Sequence, residues 1–199
     1  MKKRILFVIL QQYADWEAAY IASAITMLGQ GQYEIKTVSL VKDFVQSIGG
    51  FRVWPDYDIA SVPEEYEALI LIGGMTWRNE PAQQIKPLVA DCYQKGKVLG
   101  GICDAAAFLG TVGVLNDVQH TGNDLQDLKQ WAGAVYTGER NYVAKQAVRD
   151  GAIITANGTA PMEFAKEILL ALHVAEEEKV ADWYQFHKLG FYTAPMPAM

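Results

Sequence analysis

The feature that most constrains this chain is its alternation of short apolar runs with helical patterns. The runs "RILFVIL" (4–10), "YEIKTVSL" (33–40), "EALILIGG" (67–74), "KVLGGIC" (97–103) and "AIITAN" (152–157) read as strands. The first, third and fourth are almost continuously apolar, as strands covered on both faces of a parallel sheet must be. Between them, 15–30, 80–96, 104–115 and 160–172 repeat apolar residues at helical spacing. Asp15 is the expected N-cap of the first helix, and Gly29, Gly31 and Gly96 are expected terminators. Strands alternating with helices predict an open, doubly wound α/β sheet. The stretch 42–66 is less regular. It predicts a short hairpin or edge strand, because Pro55 excludes a central one.

Composition narrows the function classes. With 199 residues, 51% hydrophobic and 20% charged, the chain can bury a core as one domain. The net charge of -6, with no basic cluster beyond "KKR", argues against nucleic acid as a partner. No apolar run approaches the roughly 18 residues that span a bilayer, so no membrane partner is expected. "ILFVIL" runs into "QQYADWE" without a small-residue cleavage site and reads as a buried strand rather than a signal peptide. Two cysteines, Cys92 and Cys103, are too few for a disulfide framework or a zinc site. A cytoplasmic protein without a metal is the expectation. The tail, 173–199, begins as a charged helix and turns aromatic at Trp183, Tyr184 and Phe186. It is expected to form a C-terminal helical extension packed on the 1–172 domain, with a dimer contact or a wall of the site as the alternative.

Doubly wound sheets bind ligands outside the carboxyl ends of their strands. A dinucleotide or flavin would require a Gly-, Ser- or Thr-rich phosphate loop after the first strand. "QQYADWE" has none, and Glu17 would repel a phosphate, so no cofactor is expected. The fourth strand instead ends in "GICDA", the layout of a nucleophile elbow: strand, small residue, nucleophile, any residue, small residue, helix. A thiol there meets the free N–H groups of a helix start, which favour the reactive thiolate. Cys92, on a helix, reads as an inert buried thiol.

"LILIGG", "GICDAAAFLG", a glutamate just after the first strand and "ITANGTAPMEFAKEILLAL" together resemble the ThiJ/PfpI family, the DJ-one superfamily, over roughly residues 3–172. The resemblance implies a flavodoxin-like, mostly parallel sheet with helices on both faces, and a homodimer. It also implies that Cys103 lies near Glu17, with Gly73 and Gly74 behind them and the amides around Gly74 and Met75 as oxyanion donors. Thr159 is a candidate lining residue. Family members that look like proteases carry a histidine directly after the cysteine. This chain has Asp104, whose charge would oppose the thiolate; it reads either as a first-turn carboxylate that caps the helix or as the group that orients a histidine from elsewhere. His120, in "NDVQHTGND", is the candidate, while His173 and His187 lie in the tail region. The His-x-Glu pair of glutamine amidotransferases is missing. Two functions remain: a cysteine-dependent hydrolase or lyase on a small carbonyl or amide compound, or a non-enzymatic protective, chaperone-like protein that senses oxidants through Cys103. A transcriptional regulator is set aside, because no DNA-binding helices are appended.

Overall fold

A computed structural model describes residues 2–197. Its centre is a seven-stranded sheet in the order β5-β2-β1-β6-β7-β9-β8. The strands are β1 (Lys3–Val8), β2 (Tyr33–Ser39), β5 (Tyr57–Asp58), β6 (Ala68–Leu71), β7 (Val98–Ile102), β8 (Ala147–Asp150) and β9 (Ile153–Ala156). All neighbours are parallel except β8, which runs antiparallel to β9 at the edge. A separate two-stranded hairpin, β3 (Val45–Gln46) and β4 (Arg52–Val53), accounts for the irregular stretch before Pro55.

The alternation along each strand sorts the core into two layers. Ile5, Phe7 and Ile70 face α1 (Asp15–Leu28), α5 (Pro161–Ala171) and α6 (Glu177–Leu189). Leu6, Val8, Leu69, Leu71 and Leu99 face the opposite layer, which holds α2 (Lys86–Gln94), α3 (Asp104–Gly110) and α4 (Leu125–Ala132). Gly100 on β7 lets α5 approach. A Cβ there would lie 3.0 Å from Ile168 and 3.1 Å from Phe164. From the tail, α6 buries Trp183 and Val180 in the first layer, and Tyr184 and Lys188 bond Glu163 of α5. The last two residues of the tail lie outside those described.

Several boundaries differ from the sequence reading. Asp15 does not cap α1 but is its first residue, after Ala14. Its carboxylate instead accepts the Gly49 N–H (2.8 Å), tying the β3–β4 turn to the start of α1. The 80–96 pattern begins as a 3₁₀ turn (Glu80–Ile85) and becomes α-helical at Lys86, with Pro87 in the first turn. The 104–115 pattern stops at Gly110. Both β8 and α4 escaped the reading. The apolar content of β8 is slight, and the start of α4 lies in a polar loop that reads as turn.

Candidate active site

Three strand ends converge. After β1, Gln12 takes a left-handed conformation (φ 58°), and Tyr13 forms an antiparallel bridge with Gly74 beyond β6. Ala14 N–H donates to Gly73 O (3.0 Å) and Met75 N–H to Gln12 O (3.1 Å). This bridge fixes the first turn of α1, and so Glu17, over the end of β6. It leaves the Gly74 N–H without a hydrogen-bond partner among the described residues, whereas the Met75 amide is committed. Of the two expected oxyanion donors, only Gly74 is open. At the end of β7, Cys103 has φ 60° and ψ -132°, a region that L-residues reach only under strain. Its N–H donates to Ala156 O on β9 (3.0 Å), and its carbonyl starts α3 by accepting Ala106 N–H (3.0 Å). The alanines after it let α3 lie close on the sheet, with Ala105, Ala106 and Ala107 all buried. The elbow is built as the sequence suggested.

Glu17 and Cys103 meet between two glycines. A Cβ on Gly73 would collide with Glu17 Oε2 and lie 2.6 Å from Cys103 Cβ. One on Gly158 would lie 2.9 Å from Cys103 Sγ and 3.4 Å from Glu17 Oε1. The Glu17 side chain is 0% exposed, and neither carboxyl oxygen has a hydrogen bond of good geometry. Burial pushes this carboxyl up to about 7, partly offset by the Gly73 amide and the Cys103 thiol. Burial also raises the Cys103 thiol. Asn123 and the Asp104 amide act in the opposite sense, while the Glu17 charge adds to the rise. The two acids therefore share protons as a pair. The sulfur has the Asn123 donor beside it, whereas the enclosed carboxyl has no well-formed hydrogen bond.

The remaining expected residues fall less simply. Asp104 is gripped by Arg78, whose Nε and Nη2 donate to its two carboxylate oxygens at 2.9 and 3.1 Å. Arg78 also holds Asp127 (2.6 and 2.9 Å) and stacks 4.8 Å from the Trp131 ring centroid. Arg78, shared between the two carboxylates, offsets part of the charge expected to oppose the thiolate, which still raises the Cys103 thiol, and Asp104 orients no histidine. His120 is completely buried. Its Nδ1 lies 2.8 Å from Val118 O and its Nε2 2.7 Å from Tyr136 Oη. With both ring nitrogens engaged and burial lowering its pKa, His120 anchors its loop and has no ring nitrogen left for the thiol. Thr159 is exposed, and its hydroxyl donates to Asn157 Oδ1 (2.6 Å). Its neighbour Gly158 is the residue against the sulfur.

Three contributors were missed by the sequence reading: Asn123, whose Nδ2 is 3.3 Å from Cys103 Sγ, Gly158 and Arg78. The Asn-Gly pair after the last strand signals a tight turn at a strand's carboxyl end and could have pointed to Gly158. Arg78, just beyond "GGMTW", was the natural counterion for Asp104. Nothing local distinguishes Asn123 within "HTGND". Among the described residues, no group of three or more His, Cys, Asp or Glu side chains could hold a metal ion. No helix there is long and apolar enough to cross a membrane.

Comparison with known proteins bears on the family and the fold. The profile of the DJ-1/PfpI family matches residues 3–171. Uncharacterized protease YdeA of Bacillus subtilis is 39% identical over 193 residues, covering 96% of this chain and 93% of that protein. A solved DJ-1 superfamily protein from Agrobacterium tumefaciens superposes with a TM-score of 0.85 at 37% identity, over 94% of this chain and 98% of that one. A ThiJ/PfpI family protein from Bacillus anthracis gives the same TM-score at 31% identity, over 94% and 91%. Matched by the family profile and by these relatives over nearly its whole length, the chain belongs to the DJ-1/PfpI family.

Proposed function

We propose that this chain is a cytoplasmic, cysteine-dependent hydrolase or lyase acting on a small carbonyl or amide compound. The observation that carries the reading is Glu17, a wholly buried carboxyl without a well-formed hydrogen bond, packed against a half-buried thiol. Such a carboxyl costs stability, and nothing in the packing requires it, so its use is chemical. Cys103 adds to the carbonyl carbon, the amides of Gly74 and Asp104 take the developing oxyanion, and Glu17 moves the proton. His120 drops out of that scheme.

The protease label carried by the Bacillus relatives does not extend to general proteolysis here. A peptide bond requires a base that activates the thiol and then protonates the leaving amine, and His120, the candidate for that role, has both ring nitrogens engaged. Homodimers are part of the proposal, supported by exposed apolar side chains on and beside the β3–β4 hairpin, Phe51 at 69% and Trp54 at 65%.

Purified protein and a Cys103→Ala variant should be assayed on α-oxoaldehydes, small amides and peptides. Cys103-dependent turnover of a small carbonyl or amide compound supports the proposal, and efficient cleavage of peptides refutes it. The partial exposure of Cys103 favours one second reading, oxidant sensing. No turnover anywhere in the panel, with selective oxidation of Cys103 by mild peroxide, supports that reading instead.

A further inference from the structure

We propose that Asn123 is a fixed hydrogen-bond donor to the Cys103 sulfur, which leaves Glu17, among the described residues, as the proton carrier in contact with that sulfur. This inference rests on the reading of Cys103 as the reactive group. Its starting point is the orientation of the Asn123 amide. Oδ1 sits 2.8 Å from the Gly158 nitrogen, which carries a hydrogen and can only donate. The partner atom must be the carbonyl oxygen, so the NH₂ end is the one that faces Sγ at 3.3 Å.

The loop that presents Asn123 is held on several sides. Thr121 N–H donates to Thr155 Oγ1 on β9 (2.8 Å), and Thr121 Oγ1 donates to Lys145 O (2.9 Å). His120, with both ring nitrogens engaged, pairs its backbone with Asn141 and Val143. The Gly158 carbonyl, in the next peptide, accepts the Trp16 indole N–H (3.4 Å), so the residue that orients Asn123 is held on its other side too.

The chemistry follows from the side chain. A carboxamide donates two hydrogens and accepts no proton near neutral pH. At this position it stabilises sulfur when negatively charged, as thiolate or as an oxidised acid, and it cannot act as the base. The Asp104 carboxylate is tied to Arg78. Among the described residues, that leaves Glu17 to receive and return the thiol proton.

The test is the pH dependence of Cys103 alkylation by iodoacetamide, read by peptide mapping in wild type, Asn123→Asp and Asn123→Ala. Asp keeps an oxygen for the Gly158 N–H and replaces the donor by a charge facing sulfur. Ala removes the donor, and with it the oxygen that accepts the Gly158 N–H, without adding a charge. At pH 7 we expect alkylation about threefold slower in the Ala variant and at least about tenfold slower in the Asp variant, each with a profile displaced to higher pH. Wild type and Asn123→Ala with coincident profiles would overturn the inference while leaving Cys103 as the nucleophile. Asn123→Asp no slower than Asn123→Ala would do the same. A wild-type Cys103 no more reactive than Cys92 would overturn the functional reading, and this inference with it. Should the Asp variant fail to fold, the comparison of Ala with wild type decides.

Discussion

The two thiols of this chain make a controlled comparison. Cys92, on α2, is 0% exposed, and its sulfur lies 3.8 Å from the Val98 carbonyl, beside the buried Tyr66. Burial pushes it up to about 11. Cys103 is also raised by burial, but it stands at a strained strand–helix junction with the Asn123 amide and the Asp104 N–H directed at it. Desolvation by itself makes a thiol inert. Desolvation opposed by a donor, next to a carboxyl coupled to the thiol, makes one that can be switched. The difference lies in what surrounds the sulfur, since both environments are largely closed.

The largest effect that could break this comparison is loss of the sulfur itself. Cys103→Ala should abolish turnover on any small carbonyl substrate and Cys92→Ala should leave it within about twofold, measured as initial rates. The second cysteine then matters only to packing, so Cys92→Ala should lower stability by roughly 1 kcal/mol in a urea melt.

Next is Glu17. Its folded-state value is raised from 4.5 to about 7, so the folded protein holds this proton more tightly than the unfolded chain. Below pH 4.5 both states are protonated and the group's contribution is fully present. That contribution is lost as pH rises through 7, on the order of 3 kcal/mol by pH 8. Glu17→Gln should therefore match wild type at pH 4.5 and exceed it in melting temperature at pH 8. In thiol reactivity, Gln keeps a donor near the sulfur and should outperform Ala. A Gln variant with wild-type pH dependence of stability would contradict the burial of the charged group.

The smallest effects belong to Asp104. Because Arg78 offsets part of its charge, Asp104→Asn should lower the apparent thiol pKa only slightly, a change of less than about threefold in alkylation rate at pH 7. Arg78→Ala should shift the same rate the opposite way by a few-fold. A large gain in the Asn variant would show that the ion pair screens less than its geometry implies.

How much of this was legible in the sequence differs between fold and site. The buried parallel strands announce themselves because both their faces are apolar, and the elbow because a strained turn against a helix demands small residues around Cys103. Glu17 was found through the family resemblance, since a first-turn glutamate alone also reads as a surface residue. What could not be read is partnership across the chain. Arg78 meets Asp104 from 26 residues away, and Asn123 reaches Gly158 across 35. His120 drew attention as a base, yet tertiary burial beside Tyr136 and Tyr142 made it an anchor for the loop that carries Asn123. Edge strand β8 has too few apolar residues to signal a strand before its partner is known.

The central claim is that Cys103, and not Cys92, is the sulfur prepared for chemistry. It is tested most directly by alkylating the native protein with a limiting amount of iodoacetamide at pH 7 and mapping the labelled peptides by mass. The account predicts label on Cys103 at least about a hundredfold ahead of Cys92, because Cys103 is partly exposed and faces the Asn123 donor while Cys92 is wholly buried. Equal labelling, or label first on Cys92, would contradict it.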